Sequence, residues 1–541
     1  VNVFGFRGQP GLPTFSLKDS QETLMTSTEQ SALQWQAAEE TAKCITKNWD
    51  KPGEPGGAIT LFDSKTLRSF ATGGLANLSI STPFSIDSVV RYASVTKHIF
   101  ATLALLKSDA SLSVSDTLGQ HLPQLKAPMS QVTLGQALDM TAGLPDVRET
   151  LSLLGISVYN VSEASAIMEF LAQDGALNFT AGTEISYSNT GYRLVEEILK
   201  QKGILFEDLL QKYIAQPLDI AFHAPETWFD IVQDLVPGYW QDSTGWKTAV
   251  AGLHLSASGS LTGSVRSLSV WLQSLLSQNG PGAGVLQTLT EQRYLQGDIP
   301  SAYGLGITST KIGEHTVYGH GGSHAGYKTY FLLHPELDAG IALVSNREDT
   351  TAFTHVLEVM SSLLAAPLPA RSHALPDGVY ASIAEPYWLK VSNGTASYLG
   401  AADNLYQGAD ADEAITLSAH MPMRLRWDGT AIQGEIGHAP RYFTPVETND
   451  CLKMVQGRWY HPQSKAAFDI EGDQLLMGVG TLRASGQLTS LGAGRLLVEL
   501  PDGPWKKNFC LYFQGYNVRL ISNRSRVLSF RRDECRSSWH P

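Results

Sequence analysis

The chain carries Arg91-Tyr92-Ala93-Ser94-Val95-Thr96-Lys97, which runs into the apolar stretch Ile99-Phe100-Ala101-Thr102-Leu103-Ala104-Leu105-Leu106. The apolar run reads as a buried helix. A serine three residues ahead of a lysine at its start sets a hydroxyl and an amine on one helix face, within hydrogen-bond reach. That is the geometry of an activated nucleophile, and Lys97 is the only lysine in the chain with a serine three positions upstream. Taken alone, the pattern equally fits a helix start with Ser94 as cap and Lys97 on a solvated face, so the rest of the chain must decide.

Two further stretches bear on it. Ser186-Tyr187-Ser188-Asn189-Thr190-Gly191-Tyr192 precedes an amphipathic helix expected over 194–200, and Tyr318-Gly319-His320-Gly321-Gly322-Ser323 closes a strand expected over 315–319. Ser94-x-x-Lys97, Tyr187-x-Asn189 and His320-x-Gly322, in this order and at these separations, resemble the three motifs of the penicillin-recognising serine hydrolases, which include the class C β-lactamases and their peptidase and esterase relatives. The helix after Ser94, the turn Ala142-Gly143-Leu144-Pro145 and the strands after the third motif are similar to that family as well. The His-Gly-Gly third motif, combined with two barrel-like domains after the catalytic one, most resembles the D-aminopeptidases.

The resemblance implies an acyl-enzyme on Ser94. A serine hydroxyl is a poor nucleophile at neutral pH and needs a base, for which Lys97 and Tyr187 are available. A lysine works as base only with a depressed pKa, and a tyrosine only beside a cation that favours its phenolate. Side by side, each serves the other and the two titrate as a pair. The expected division has Tyr187 relaying the proton to the leaving group while Lys97 holds Ser94 and supplies positive charge. Asn189 is expected to bind the substrate backbone and Lys97. His320 stands where many relatives carry lysine, so a full positive charge there is not assured at pH 7. The family pattern implies oxyanion donors at the backbone N–H groups of Ser94 and Ser323, with Gly321 and Gly322 leaving room for substrate along the strand edge.

The implied activity is that of a serine hydrolase, a D-stereospecific aminopeptidase or amidase, with a β-lactamase, DD-carboxypeptidase or esterase as the alternative. An aminopeptidase must hold its substrate's ammonium, and the loop 255–261 that lines the pocket in the family contains Ser258 and no acid. The glycine-rich segment 478–486 is the candidate for a loop reaching the pocket from the last domain. No cofactor is expected. His320 and His324 are four apart, but the two intervening glycines on a strand end do not hold the helical geometry of a zinc pair, so no metal is expected either.

Organisation follows from the same reading. A helix is expected over 31–47 and strands over 57–62 and 68–73, then strands over 303–307, 315–319, 327–333 and 340–345 and a closing helix over 353–364. Strands at both ends with helices between them form one sheet, an α/β (α+β) serine β-lactamase-like domain over residues 25–366. The proline-rich Ala365-Ala366-Pro367-Leu368-Pro369-Ala370-Arg371-Ser372 follows as a linker. Beyond it come short strands in two units, 373–450 and 451–535, each read as an all-β antiparallel barrel. Gly378-Val379-Tyr380 opens one and Phe443 closes it; Gly457-Arg458-Trp459-Tyr460 opens the other and Phe530 closes it.

With 541 residues, 43% hydrophobic and 17% charged, the chain has material for a large core. A net charge of -12 argues against a nucleic-acid or anionic-membrane surface. The expected partner is a small-molecule or short peptide substrate, with a homodimer left open. Residues 1–24 lack the pattern of a secretory signal and Met25 reads as a natural start, so the expected location is cytoplasmic. The four cysteines do not make a disulfide framework and read as reduced thiols, with a Cys451–Cys535 bridge across the ends of the last unit as the alternative.

Overall fold

Strand β1 (Gly57–Phe62) is buried along its whole length, which is what a central strand covered on both faces requires. Ala58 and Phe62 enter one apolar cluster and Ile59 and Leu61 the other, so its period of two supplies both layers. It pairs with β2 (Leu67–Gly73) on one side and with the last strand of the sheet on the other. With β3 (Thr308–Ile312), β4 (His315–His324), β5 (Tyr327–His334) and β6 (Ala339–Ser345), the sheet runs in the order β3-β4-β5-β6-β1-β2, all antiparallel. Helices α1 (Trp35–Lys47) and α5 (Ala352–Leu364) cover one face through Ala38, Ala42, Ile45, Val356 and Met360. Helices α2 (Thr96–Thr102) and α4 (Val265–Ser277) cover the other through Ile99, Phe100, Leu268 and Trp271. This computed structural model describes residues 33–446 and 454–533. Cys451 and Cys535, the pair that a closed barrel could bring together, lie outside the described residues, while Cys44 and Cys510 are free thiols.

Two differences from the sequence reading bear on the site. The segment 303–307 is not a strand. It is a loop bridged from Tyr303 to Thr308, because Gly306 sits at φ +75° where a Cβ would lie 2.7 Å from the Lys97 carbonyl carbon. The chain must pass close beneath the first turn of α2 before β3 can begin. The third motif, in turn, does not end its strand. β4 continues through it to His324, with Gly321 opposite Tyr330 and Gly322 opposite Thr329, while β3 stops pairing at Gly319. From His320 onward one edge of β4 is therefore open toward Ser94.

The residues beyond the linker form two antiparallel sheets. Nine strands between Gly378 and Pro445 make one, whose two outermost strands, Ala401–Asn404 and Tyr406–Gln407, are separated in sequence only by Leu405; the sheet curls into a nearly closed barrel. Eight strands between Gly457 and Arg532 close completely, the first pairing with the last through Trp459 and Arg532. Full closure removes the sheet edges. Trp459 and Phe530 fill the second core and Tyr380 and Phe443 the first. Among the described residues no helix is long and apolar enough to cross a membrane.

Candidate active site

Ser94 lies in a single 3-10 turn, Ala93–Val95, that leads into α2. Ala93 takes φ +53°, a left-handed conformation unusual for alanine, and the turn is held by the Thr96 hydroxyl donating to Ala93 O at 2.6 Å while accepting from Leu261 N at 3.0 Å. The open edge of β4 presses on this turn. A Cβ at Gly322 would stand 1.9 Å from Tyr92 O and 3.0 Å from Ser94 N, and one at Gly321 would meet the Tyr330 ring at 2.5 Å. The sequence reading assigned the two glycines to substrate clearance; the structure shows that the protein's own backbone and a neighbouring ring demand them. Gly322→Ala is expected to displace Ser94 and lower kcat by about 10²-fold, the cost of a misplacement near 1 Å, with Gly321→Ala milder because only a side chain must move; steady-state rates of the two variants check this.

Lys97 is fully buried, and its Nζ has three oxygen partners: Ser94 Oγ at 3.0 Å, Asn189 Oδ1 at 2.9 Å and Ser258 O at 2.6 Å. The last two can only accept. A neutral amine that donates its two hydrogens to them keeps its lone pair directed at the Ser94 hydroxyl. Burial holds the Lys97 pKa well below the ordinary lysine value; Asp146 opposes this, while Arg524 and Arg148 add to it. Asn189 is oriented by Asp146, whose Oδ2 accepts from both Asn189 N and Nδ2 at 2.7 Å. The expected Asn189–Lys97 contact is present, and the amide's nitrogen already serves Asp146.

Tyr187 packs its ring 4.8 Å from Lys97 Nζ. Its buried hydroxyl faces Ser94 without closing a hydrogen bond of ordinary geometry, and burial pushes its pKa above the usual tyrosine value despite the opposing pull of Ser94 and Arg524. The expectation of a favoured phenolate is reversed here, because desolvation outweighs the neighbouring cations. His320 is also fully buried, its ring 6.3 Å from that of Tyr187. Its Nδ1 lies 2.6 Å from Gly321 O, which can only accept, so Nδ1 carries the proton and Nε2 accepts from the Tyr303 hydroxyl at 2.7 Å. Burial, with His420 and Lys97 nearby, holds it well below the ordinary histidine pKa and therefore neutral. Ser323 is exposed at the cleft, its hydroxyl accepting from Lys328 Nζ at 2.8 Å, with Lys328 in turn paired to Glu348 at 2.5 Å.

Residues that the sequence reading did not single out complete the arrangement. His420, from the nearly closed barrel, packs edge-to-face on Tyr303 and His320 and tilted on Tyr187, with centroids 5.6, 4.8 and 5.4 Å away. Arg524, from the closed barrel, lies 4.6 Å over the Tyr187 ring. The loop that reaches the site from the last domain is thus 522–526. Segment 478–486 instead leaves Val479 and Leu482 exposed and ties Arg483 to Asp469. Ser258 offers only its carbonyl to Lys97, and the acid nearest its loop, Glu196, is buried with its Oε2 on Ala257 N at 3.1 Å. A sequence signal for part of this existed: Asp146 and Glu149 stand at the first and fourth positions of a short helix start, Val147–Leu153, with Asp146 Oδ1 capping Glu149 N at 2.9 Å.

Residues 41–359 match the Beta-lactamase family. This is more than half of the chain, which belongs to that family. The D-aminopeptidase of Gluconobacter oxydans (strain 621H) is 25% identical over 339 residues, covering 62% of this chain and 63% of the relative. That of Cereibacter sphaeroides (strain ATCC 17023) is 24% identical over 352 residues, covering 64% and 66%. The chain thus spans less than two thirds of the length of these relatives. Among solved structures, the octameric penicillin-binding protein homologue from Pyrococcus abyssi aligns with a TM-score of 0.52 at 17% identity, covering 88% of this chain and 96% of its own. The D-amino acid amidase from Ochrobactrum anthropi SV3 in complex with L-phenylalanine amide aligns with a TM-score of 0.50 at 20% identity, covering 61% and 97%. These two likenesses concern the fold.

Proposed function

We propose that the chain is a serine hydrolase that forms an acyl-enzyme on Ser94, with a D-stereospecific aminopeptidase or amidase activity. The observation that carries the reading is the placement of Lys97 Nζ, with two acceptors taking its hydrogens and its lone pair facing the Ser94 hydroxyl. Lys97 is the base, Asn189 and Asp146 hold it, and the N–H groups of Ser94 and Ser323 receive the oxyanion. Tyr187, kept neutral by burial, relays to the leaving group the proton that Lys97 takes from Ser94, giving up its own proton and receiving that of Lys97, and His320 positions the β4 edge without touching the substrate. The D-preference is supported by the names of the relatives above. Release of p-nitroaniline from D-alanyl and L-alanyl anilides tests it: a clear D-preference is expected, and equal rates sink it.

A second reading, a β-lactamase, DD-carboxypeptidase or esterase on the same Ser94, is favoured by the absence of an acid in the 255–261 loop. Turnover of nitrocefin or short-chain nitrophenyl esters without anilide hydrolysis would select it.

The pH profile follows from Lys97. A base must be deprotonated, so kcat/KM rises with pH through the Lys97 pKa of the free enzyme. Arg524 and Arg148 lower that pKa and Asp146 raises it. Removing a nearby positive charge makes the ammonium easier to form, so Arg524→Gln is expected to move the acid limb to higher pH. Asp146→Asn removes the stabilising negative charge and is expected to move it to lower pH. Profiles of kcat/KM in the two variants read the opposite signs.

A further inference from the structure

A cavity of about 370 Å³ is lined by Asn189 and Ser323 of the site and by residues of both barrels. Its size suits a short peptide or drug-sized molecule, and the distribution of hydrogen bonds among its charged side chains is uneven. Every carboxylate in its wall is already engaged by the protein. Asp146 accepts from Asn189 N, Asn189 Nδ2 and Glu149 N. Glu149 accepts from Arg524 N at 2.5 Å, and Asp502 accepts from the Ser157 hydroxyl at 2.7 Å and from Val158 N at 3.1 Å. Both lysines are engaged as well, Lys506 with Glu499 at 2.7 Å and Lys507 with Ile156 O at 3.0 Å.

The two arginines differ. Among the described residues the guanidinium groups of Arg148 and Arg524 make no hydrogen bond or ion pair. Each rests on an aromatic face, Arg148 5.0 Å over Trp505 and Arg524 4.6 Å over Tyr187. Stacking supports the plane of a guanidinium and leaves its edge of N–H donors free for an acceptor. Neither residue is loosely placed. Arg148 follows the Asp146 cap in the short helix Val147–Leu153. The backbone of Arg524 is fastened through its N–H to Glu149 and through its carbonyl to Asp146 N and Asn178 Nδ2, both at 2.9 Å. Burial pushes the Glu149 carboxyl up to about 7 against the opposing pull of Arg524, and Asp146 favours the charge of Arg148, so each guanidinium has an acid nearby although neither is bonded to one. The unsatisfied capacity of this cavity is cationic, forked and fixed.

We infer that Arg148 and Arg524 form a carboxylate-binding subsite, so that the cleft takes short peptides with a free carboxylate in preference to the corresponding amides or esters, which narrows the activity proposed above to its peptidase form. The inference rests on the acyl-enzyme reading for its use in turnover, but binding at the subsite does not need Ser94 to react. A carboxylate received by two guanidiniums is a charge-assisted, bidentate contact of the kind that planar forks select.

The test separates the two claims. Full-length Ser94→Ala protein is titrated by calorimetry with D-alanyl-D-alanine and with its C-terminal carboxamide. The free carboxylate is expected to bind about tenfold or more tightly, and Arg148→Gln or Arg524→Gln in the same background is expected to bring the two affinities together. Arg→Lys at either position keeps the charge without the fork and should retain part of the preference. Thermal melts of each variant establish that it is folded. Equal affinities in the parent, no binding of either ligand, or a preference that survives in both folded Gln variants would overturn the subsite. Labelling of the unsubstituted enzyme with a neutral fluorophosphonate, located by peptide mass, reads Ser94 separately; its absence would overturn the acyl-enzyme reading while leaving the calorimetric result intact.

Discussion

Ser94→Ala and Lys97→Met are each expected to lower kcat/KM by about 10⁴-fold or more, and the double substitution to lower it no further, because groups that act as one unit are grossly non-additive. The alanine removes the nucleophile. The methionine fills nearly the same volume as Lys97 but removes the amine that takes the proton of Ser94, and with it the hydrogen bonds to Asn189 Oδ1 and Ser258 O. Stability and activity should separate in Lys97→Met. Lys97 is fully buried and its charged form is disfavoured there, so an apolar isostere removes a desolvation cost while leaving two acceptors without a donor, and the opposed terms are each about 1–3 kcal/mol. The melting temperature is therefore expected to shift little while turnover collapses. Steady-state rates and thermal melts of the two single variants and the double variant provide the measurement. A Lys97→Met variant within tenfold of the parent would remove Lys97 as base and return that role to Tyr187.

What could be read in advance follows the range of the interactions involved. Ser94 and Lys97 are legible because a spacing of three on a helix is a local fact, α1, β2 and α5 because one-sided burial imposes a period on each, and β1, β5 and β6 because burial on both faces makes each a short apolar run. Tyr187 and Asn189 come from a short motif ahead of a helix, and the structure brings both to Lys97. The protonation of these groups was not legible. The fates of Tyr187 and His320 depend on how completely each is enclosed, and the enclosing side chain His420 comes from a different sheet. The same holds for the loop from the last barrel. Segment 478–486 draws notice by its glycines, but these serve an exposed turn in which Gly480 takes φ +55°. Ser522-Asn523-Arg524-Ser525-Arg526 has no periodicity to mark it, and its importance arises only when the closed barrel docks against the segment 146–149 and against residues 178–187, which lead to α3 (Thr190–Gln201).

That docking has its own anchor, and Glu184→Ala is expected to destabilise the protein by about 3–5 kcal/mol, the cost of leaving buried charges without their partner. Glu184, from the segment just ahead of Tyr187, pairs through Oε2 with Arg441 at 2.5 Å and through Oε1 with Arg526 at 3.4 Å. One arginine belongs to each barrel and all three side chains are buried, so a single carboxylate joins three parts of the chain. Arg526 also donates to the Tyr387 hydroxyl at 3.4 Å, and Arg441 to that of Tyr398 at 3.2 Å and to the exposed Glu385 carboxylate at 3.5 Å; among the described residues Arg526 has no second acid, and an exposed carboxylate is a weak substitute for the buried one at Arg441. Because Arg526 stands two residues from Arg524, the loss should reach the cleft. The loop would lose its hold, Arg524 would leave the Tyr187 ring, and the Lys97 pKa would rise as a neighbouring positive charge withdraws. Glu184→Ala is thus expected to lower the urea midpoint, raise hydrogen exchange in the strand Leu528–Arg532, and move the acid limb of kcat/KM to higher pH, although Glu184 makes no contact with Ser94. Glu184→Gln, which keeps the shape and one acceptor, should fall between Glu184→Ala and the parent. An unchanged midpoint in Glu184→Ala would mean that the apolar contacts between the barrels and the catalytic part hold the assembly without this charge.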